Sequence, residues 1–209
     1  MNTLPRTKRA QRATSTERLL AAALNDFVRH GYHHTTVEAI ALSAGLSKGT
    51  IYFYFGKKSA LLLRLLDRVE AVVVDEMEAR IAAAGPSAPD MLVAFVHGQA
   101  MLGVERWEYV LLLILMSLEF RGAGGEIEAR ITGIYARLYG AVEAIIEEGK
   151  AAAVFRTDLR TREQAATVMA GHDGTFLEWY RRGRSLDGAA LVRALRAATL
   201  GGLRAAPTG

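Results

Sequence analysis

Apolar residues recur every third or fourth position along most of the chain, and no run alternates apolar with polar residues. The pattern predicts helices and no sheet. The first stripe is Leu19, Leu20, Ala23, Leu24 and Phe27. It predicts a helix opening at a Thr14-x-x-Glu17 capping box and stopping at His30-Gly31, where glycine can turn left-handed. A short second helix capped by Thr35 or Thr36 carries Val37, Ile40 and Ala41. Ala44-Gly45-Leu46 reads as a turn, and Ser47 caps a third helix ending near Phe55-Gly56. A fourth helix is expected from Lys57 to Ala84, on the stripe Leu61, Leu62, Leu65, Leu66, Val69, Val73 and Met77. Beyond the break at 85–89, helices are expected near 89–103, 105–120, 125–149, 162–182 and 187–202. The expectation is an all-α chain of about nine helices: a three-helix head, residues 1–60, followed by a helical bundle, residues 61–209.

Composition narrows the class. The chain has 209 residues, 51% hydrophobic and 23% charged, an ordinary globular balance with ample length for a core. There is no cysteine, hence no disulfide, thiolate metal site or cysteine nucleophile. The longest charge-free apolar stretch, Met91–Val104, is well short of the ~20 residues needed to span a bilayer. No apolar signal segment follows the basic N-terminus, so a soluble, cytoplasmic protein with no membrane role is expected. Charge is unevenly placed. Residues 1–60 hold nine Lys/Arg against three Asp/Glu, whereas the remainder holds 17 against 19. A basic end on a near-neutral body is the electrostatic footprint of nucleic-acid binding. A merely solvated basic tail satisfies the same count.

The segment Val37–Tyr54 has the logic of a helix-turn-helix. Two short helices that cross steeply need a small residue at the contact, Ala41, and a sharp turn favours a residue without Cβ, Gly45. Ile40, Ala44, Leu46 and Ile51 fall where apolar side chains would lock the pair against the first helix.

Here the residues become specific. The run Gly31-Tyr32-His33-His34-Thr35-Thr36-Val37-Glu38-Ala39-Ile40-Ala41, then Ala44-Gly45-Leu46-Ser47-Lys48-Gly49-Thr50-Ile51-Tyr52-Phe53-Tyr54-Phe55-Gly56-Lys57-Lys58, resembles the DNA-binding domain of the TetR family. The close match covers roughly residues 14–66. It departs from the family's pattern at Leu46, where valine is commoner, and at Ser59-Ala60, where an acidic pair is frequent.

On the third helix Lys48 and Tyr52, and likewise Gly49 and Phe53, are four apart and share a face opposite Ile51 and Phe55. That face would enter the major groove, with Lys48 at base edges and Gly49 allowing close approach. Ser47, Thr50 and Tyr52 are candidates for phosphate, and Phe53 for thymine methyls. Tyr54 matches a DNA-contacting family position yet lies near the core side. The resemblance makes Lys58 a phosphate-binding lysine, and Thr35 and Thr36 would hold phosphate at the second helix's start. Arg6, Lys8, Arg9 and Arg12 form a basic arm that could follow the phosphates or a minor groove.

The body holds much apolar mass, and a bundle of this kind could enclose a pocket for a small-molecule effector. Candidate effector residues are Phe95, Trp107, Met116, Phe120, Tyr135, Met169 and Phe176. To these are added His97, Gln99, Glu119 and His172, polar groups within apolar runs. Core packing explains the apolar members equally, and His172-Asp173 could be a self-satisfied pair. The resemblance implies a homodimer built by the last two helices. Ala166, Ala170, Gly174 and Leu177 form one small-residue ridge, and Leu191, Ala194, Leu195 and Ala198 another, though such ridges also suit an intramolecular contact.

The resemblance implies a ligand-responsive transcriptional repressor released from a palindromic operator by a small, largely apolar effector, with no cofactor. A DNA-binding activator or architectural protein without an effector is the alternative. An enzyme using His30, His33 and His34 as metal ligands or bases is disfavoured. Gly31-Tyr32 interrupts the helix such spacing needs, and no carboxylate stands among them.

Overall fold

A computed structural model describes residues 8–205, with side chains from Arg12 onward. Among these, ten α-helices and one π-helical segment account for nearly all the regular structure. They are α1 (Lys8–His30), α2 (Val37–Ser43), α3 (Lys48–Phe55), α4 (Lys58–Val69), α5 (Glu76–Ala83), α6 (Ala88–Glu105), α7 (Trp107–Glu119), α8 (Gly125–Ala151), α9 (Thr161–Arg181) and α10 (Gly188–Leu203). The π-helical turn, Glu70–Asp75, lies between α4 and α5, where a single helix over 57–84 was expected. An isolated antiparallel bridge links Phe155 to Arg204.

Packing divides the chain into two units. One comprises residues up to Val69 together with Glu108–Thr132; the other comprises Glu70–Trp107 and residues from Gly133 onward. In the first unit, Leu19, Leu20, Ala23 and Phe27 of α1 are fully buried with Ile40, Ile51, Leu61, Leu62, Leu65 and Leu66. Each of the leucine, isoleucine and phenylalanine side chains contributes about 1.5–3 kcal/mol of burial free energy. The first helix opens at Lys8, not at the Thr14 box. Residues 9–13 are Arg, Ala, Gln, Arg and Ala, all good helix formers, and nothing there breaks the helix.

In the second unit the π-helical turn has a visible cause. Its hydrogen bonds run five residues apart, which brings Glu70 and Asp75 to one face. Both reach Arg137 of α8, at 2.8 and 2.9 Å, and Glu78 of α5 completes the set at 2.6 Å. A regular α-helix would point residues five apart about 140° away from each other. After α8 the chain folds back on itself. The N–H groups of Val154 and Phe155 both donate to the Gly149 carbonyl, and the Phe155 ring lies against Gly149, where a Cβ would stand 2.0 Å from it. Arg156 N–H then donates to Leu203 O, tying this loop to the end of α10.

Candidate nucleic-acid interface and body cavity

The helix-turn-helix is built from its backbone outward. Thr36 caps α2, its Oγ1 accepting the Ala39 N–H at 3.1 Å, and Ser47 caps α3, accepting the Thr50 N–H at 3.3 Å. Between them Gly45 adopts φ +61°. The turn is pinned from α1, because Arg18 donates to the Ala44 carbonyl at 2.6 Å and lies against Gly45. No sequence pattern pointed to Arg18; its partner is backbone 26 residues away, which no local spacing reveals.

The outer face of α3 is open. Lys48, Gly49, Tyr52 and Phe53 are exposed, Phe53 to 76%, and Ile51 is buried on the opposite side. Ser47 and Thr36 are also exposed, and Thr50 and Tyr54 are half-buried. Phe55, expected in the core, is only half-buried. Two partners were not foreseen. Lys48 forms an ion pair with Glu38 of α2 while its ammonium lies 5.6 Å from the Tyr52 ring centre. Hydrogen bonding to Glu38 raises the Lys48 pKa, and the same bond lowers that of Glu38. Arg12 of α1 lies over the Tyr54 ring at 5.6 Å. Of the expected basic arm, Arg6 lies outside the described residues, and Lys8 and Arg9 belong to α1.

Two expected contact residues face inward. Thr35 is buried, its Oγ1 2.7 Å from the Gly31 carbonyl and its N–H bonded to Tyr32 O. Lys58 donates to the carbonyls of Tyr32 at 2.7 Å and Thr35 at 2.8 Å, over the Tyr32 ring at 4.2 Å. Burial lowers the Lys58 pKa, against the opposing charge of Glu119. Burial, then Glu119, raises the pKa of Tyr32. Lys58 thus knits the loop between α1 and α2 to the start of α4. Its side chain reaches back to carbonyls that only the folded loop presents.

The effector candidates are dispersed. Glu119 and Phe120 support the same loop: Glu119 accepts the Tyr32 and His33 N–H groups, and the Phe120 ring packs 5.0 Å from Tyr32. With the fully buried Met116 they belong to the first packing unit. Phe95 and Met169 are core in the second unit. Tyr135 is half-buried beside Tyr139, and Trp107 stacks on Tyr180 at 5.6 Å. Gln99, His172 and Phe176 do come together, lining an open cavity of about 600 Å³ between α6, α9 and α10. Trp179 and Met101, part of the body's apolar mass, line it too, as do Val104, Arg193 and Arg196, which were missed. The only signal for the arginines is their three-residue spacing on α10.

The ridges expected at a dimer interface split. Ala166, Ala170 and Gly174 are exposed along α9, with Leu177 half-buried; Ala194 and Ala198 are exposed on α10. Leu191 and Leu195 instead line the 600 Å³ cavity, and Leu195 with Ala198 also borders a second cavity, about 570 Å³, between α9 and α10. No helix among the described residues is long and apolar enough to cross a membrane.

Residues 19–65 match the sequence pattern of "Bacterial regulatory proteins, tetR family". The MbdR regulator from Azoarcus sp. CIB is 48% identical and superposes with a TM-score of 0.82, covering 91% of this chain and all of that one. The HTH-type transcriptional repressor NicS of Pseudomonas putida is 30% identical over 154 residues, 72% of this chain and 71% of that protein. The chain belongs to the TetR family. Among other TetR-like proteins, the fatty acid metabolism regulator protein of Bacillus subtilis is 26% identical over 174 residues, 83% of this chain and 87% of that one. The structure of Bacillus subtilis FadR in complex with stearoyl-CoA shares the fold, with a TM-score of 0.72 at 24% identity over 89% of this chain and 98% of that one. This TetR-family chain is a DNA-binding transcriptional regulator.

Proposed function

We propose that this TetR-family chain is a ligand-responsive repressor that reads a near-palindromic operator as a homodimer and leaves it when a small, largely apolar effector occupies the body. The observation that carries this reading is the open face of α3, with exposed Lys48, Tyr52 and Phe53 on a turn held by Arg18. Lys48 reads base edges beside Gly49, and Phe53 meets thymine methyls. Ser47, Thr50, Tyr52 and Tyr54 serve the phosphates, with Thr36 at the start of α2. Thr35 and Lys58 support this surface from behind.

Functionally, residues 1–60 form the DNA-binding domain and 61–209 the effector and dimerisation domain. Two copies joined along the exposed ridges of α9 and α10 would carry recognition helices roughly 34–36 Å apart, one turn of DNA. The protein acts by binding, with no catalytic step, in the cytoplasm. The effector need only prefer the released conformer. A 100-fold loss of operator affinity corresponds to about 2.7 kcal/mol of coupling.

The test is binding of the purified protein to DNA upstream of its own gene and to sites selected in vitro from random duplexes, at two salt concentrations. A tight, salt-sensitive, sequence-selective complex of two protomers per site is expected. Equal weak binding to every duplex would overturn the reading.

A further inference from the structure

The cavity between α6, α9 and α10 is mostly apolar, with Val104, Phe176, Trp179 and Leu191 on its walls. One of its polar groups lacks a partner. Gln99 of α6 is 1% exposed, lines the cavity, and its amide Nε2 is buried with no hydrogen-bond partner. A buried amide donor left unpaired is destabilising, and a ligand that brings an acceptor relieves that cost. His172 of α9 lines the same cavity and is 8% exposed at its side chain. Its Nδ1 is 3.0 Å from Asp173 Oδ1. A carboxylate accepts, so Nδ1 carries a proton; Nε2 is then an acceptor in the neutral ring and a donor only in the imidazolium.

Charge decides the ligand's sign. Arg193, which also stands 4.0 Å from Asp187, and Arg196 of α10 border the cavity, and Glu105 is the acidic residue among its lining. The unpartnered Gln99 donor and the guanidinium groups of α10 together suit a negatively charged oxygen pair. They do not suit an ammonium, and they give a neutral hydroxyl no use for the arginines. The cavity's volume lies in the range of sites for organic molecules of drug size.

We infer that this cavity binds an apolar organic acid, its ring or chain against Val104, Phe176 and Trp179 and its carboxylate taken by Gln99 and the α10 arginines. This rests on the effector-responsive reading above and names the chemical class of the effector.

The test is isothermal titration of the full-length protein with two acids, 4-phenylbutyrate and decanoate, and with the alcohol and the amine of the same skeletons. Each acid is expected to bind at least tenfold more tightly than its alcohol, and the amines not at all. Gln99→Leu, which replaces an unpaired buried amide by an apolar side chain of similar size, is expected to fold and to reduce acid binding at least tenfold. The double variant Arg193→Gln/Arg196→Gln should narrow the gap between acid and alcohol. Acids binding no better than their alcohols, or binding unchanged by both variants, would overturn the assignment. Operator binding is read on the same samples. Acids that bind as expected but leave operator affinity unchanged keep the site and sink the effector-responsive reading. Alcohols that bind and release the operator keep that reading and sink the carboxylate.

Discussion

Glu119 and Tyr32 are 87 residues apart and share a hydrogen bond: the Glu119 carboxylate accepts the Tyr32 backbone N–H at 3.0 Å and, through its other oxygen, the neighbouring His33 N–H at 2.8 Å. The last residue of α7 therefore holds the loop that leads into the helix-turn-helix. Two charge-assisted bonds to backbone donors fix that loop more firmly than its own short turns would.

Glu119→Ala is expected to leave both N–H groups seeking water in a partly buried place. A loss of about 2 kcal/mol is expected, since hydrogen bonds to charged groups contribute about 1.5–3 kcal/mol each and some solvent compensates. In a chain of this size that lowers the melting temperature by roughly 4–8 °C. Operator affinity should fall as well, and a thermal melt beside a binding titration checks both. An unchanged melt would show that the carboxylate contributes nothing to loop stability.

Lys48 and Lys58 are both basic residues of the head, and their replacements should separate. Lys58→Met leaves the Tyr32 and Thr35 carbonyls without their donor, so stability and DNA binding are expected to fall together, the former by about 1–3 kcal/mol. Lys48→Ala, on the exposed face, should leave the melt within about 0.5 kcal/mol of wild type. It is expected to relax sequence choice, read as a broader set of sites recovered by in vitro selection.

Glu38 stands beside Lys48 on the surface proposed to meet DNA, and its negative charge competes with phosphate for that lysine. Glu38→Gln is expected to strengthen binding to duplexes of arbitrary sequence more than binding to a selected site. Freeing one lysine for phosphate should steepen the slope of log affinity against log salt by about 0.9 on B-DNA. Equal gains on both kinds of DNA, with no change of slope, would count against the competition.

Gly149→Ala tests the fold-back after α8. The added methyl would stand 2.0 Å from the Phe155 ring, which is 1% exposed and held by backbone bonds on both sides. Overpacking of this kind costs about 1–3 kcal/mol. Chemical denaturation should report that loss, and Gly149→Ala/Phe155→Leu should recover part of it.

Much of the architecture was legible along the chain because helical periodicity, caps and breakers are local. The stripe from Leu19 to Phe27, the caps Thr36 and Ser47, and the turn at Gly45 each depend on residues a few positions apart, and the later helices stand within two residues of their expected ends. The start of α1 and the π-helical turn were not legible. The first lacks a breaker to mark it, and the second is set by Arg137, 62 residues beyond Asp75.

What the sequence determined by itself was the helical class, the basic head and the motif of the TetR family, since each is a matter of composition or short spacing. Only the tertiary structure decided which polar groups face outward. It turned Lys58 and Thr35 inward, gave Glu119 to the loop at Tyr32 instead of to a pocket, and gathered Gln99, His172 and Phe176 at one cavity. Those outcomes depend on unpaired backbone groups and charges meeting partners far along the chain, and no spacing within a helix encodes such meetings.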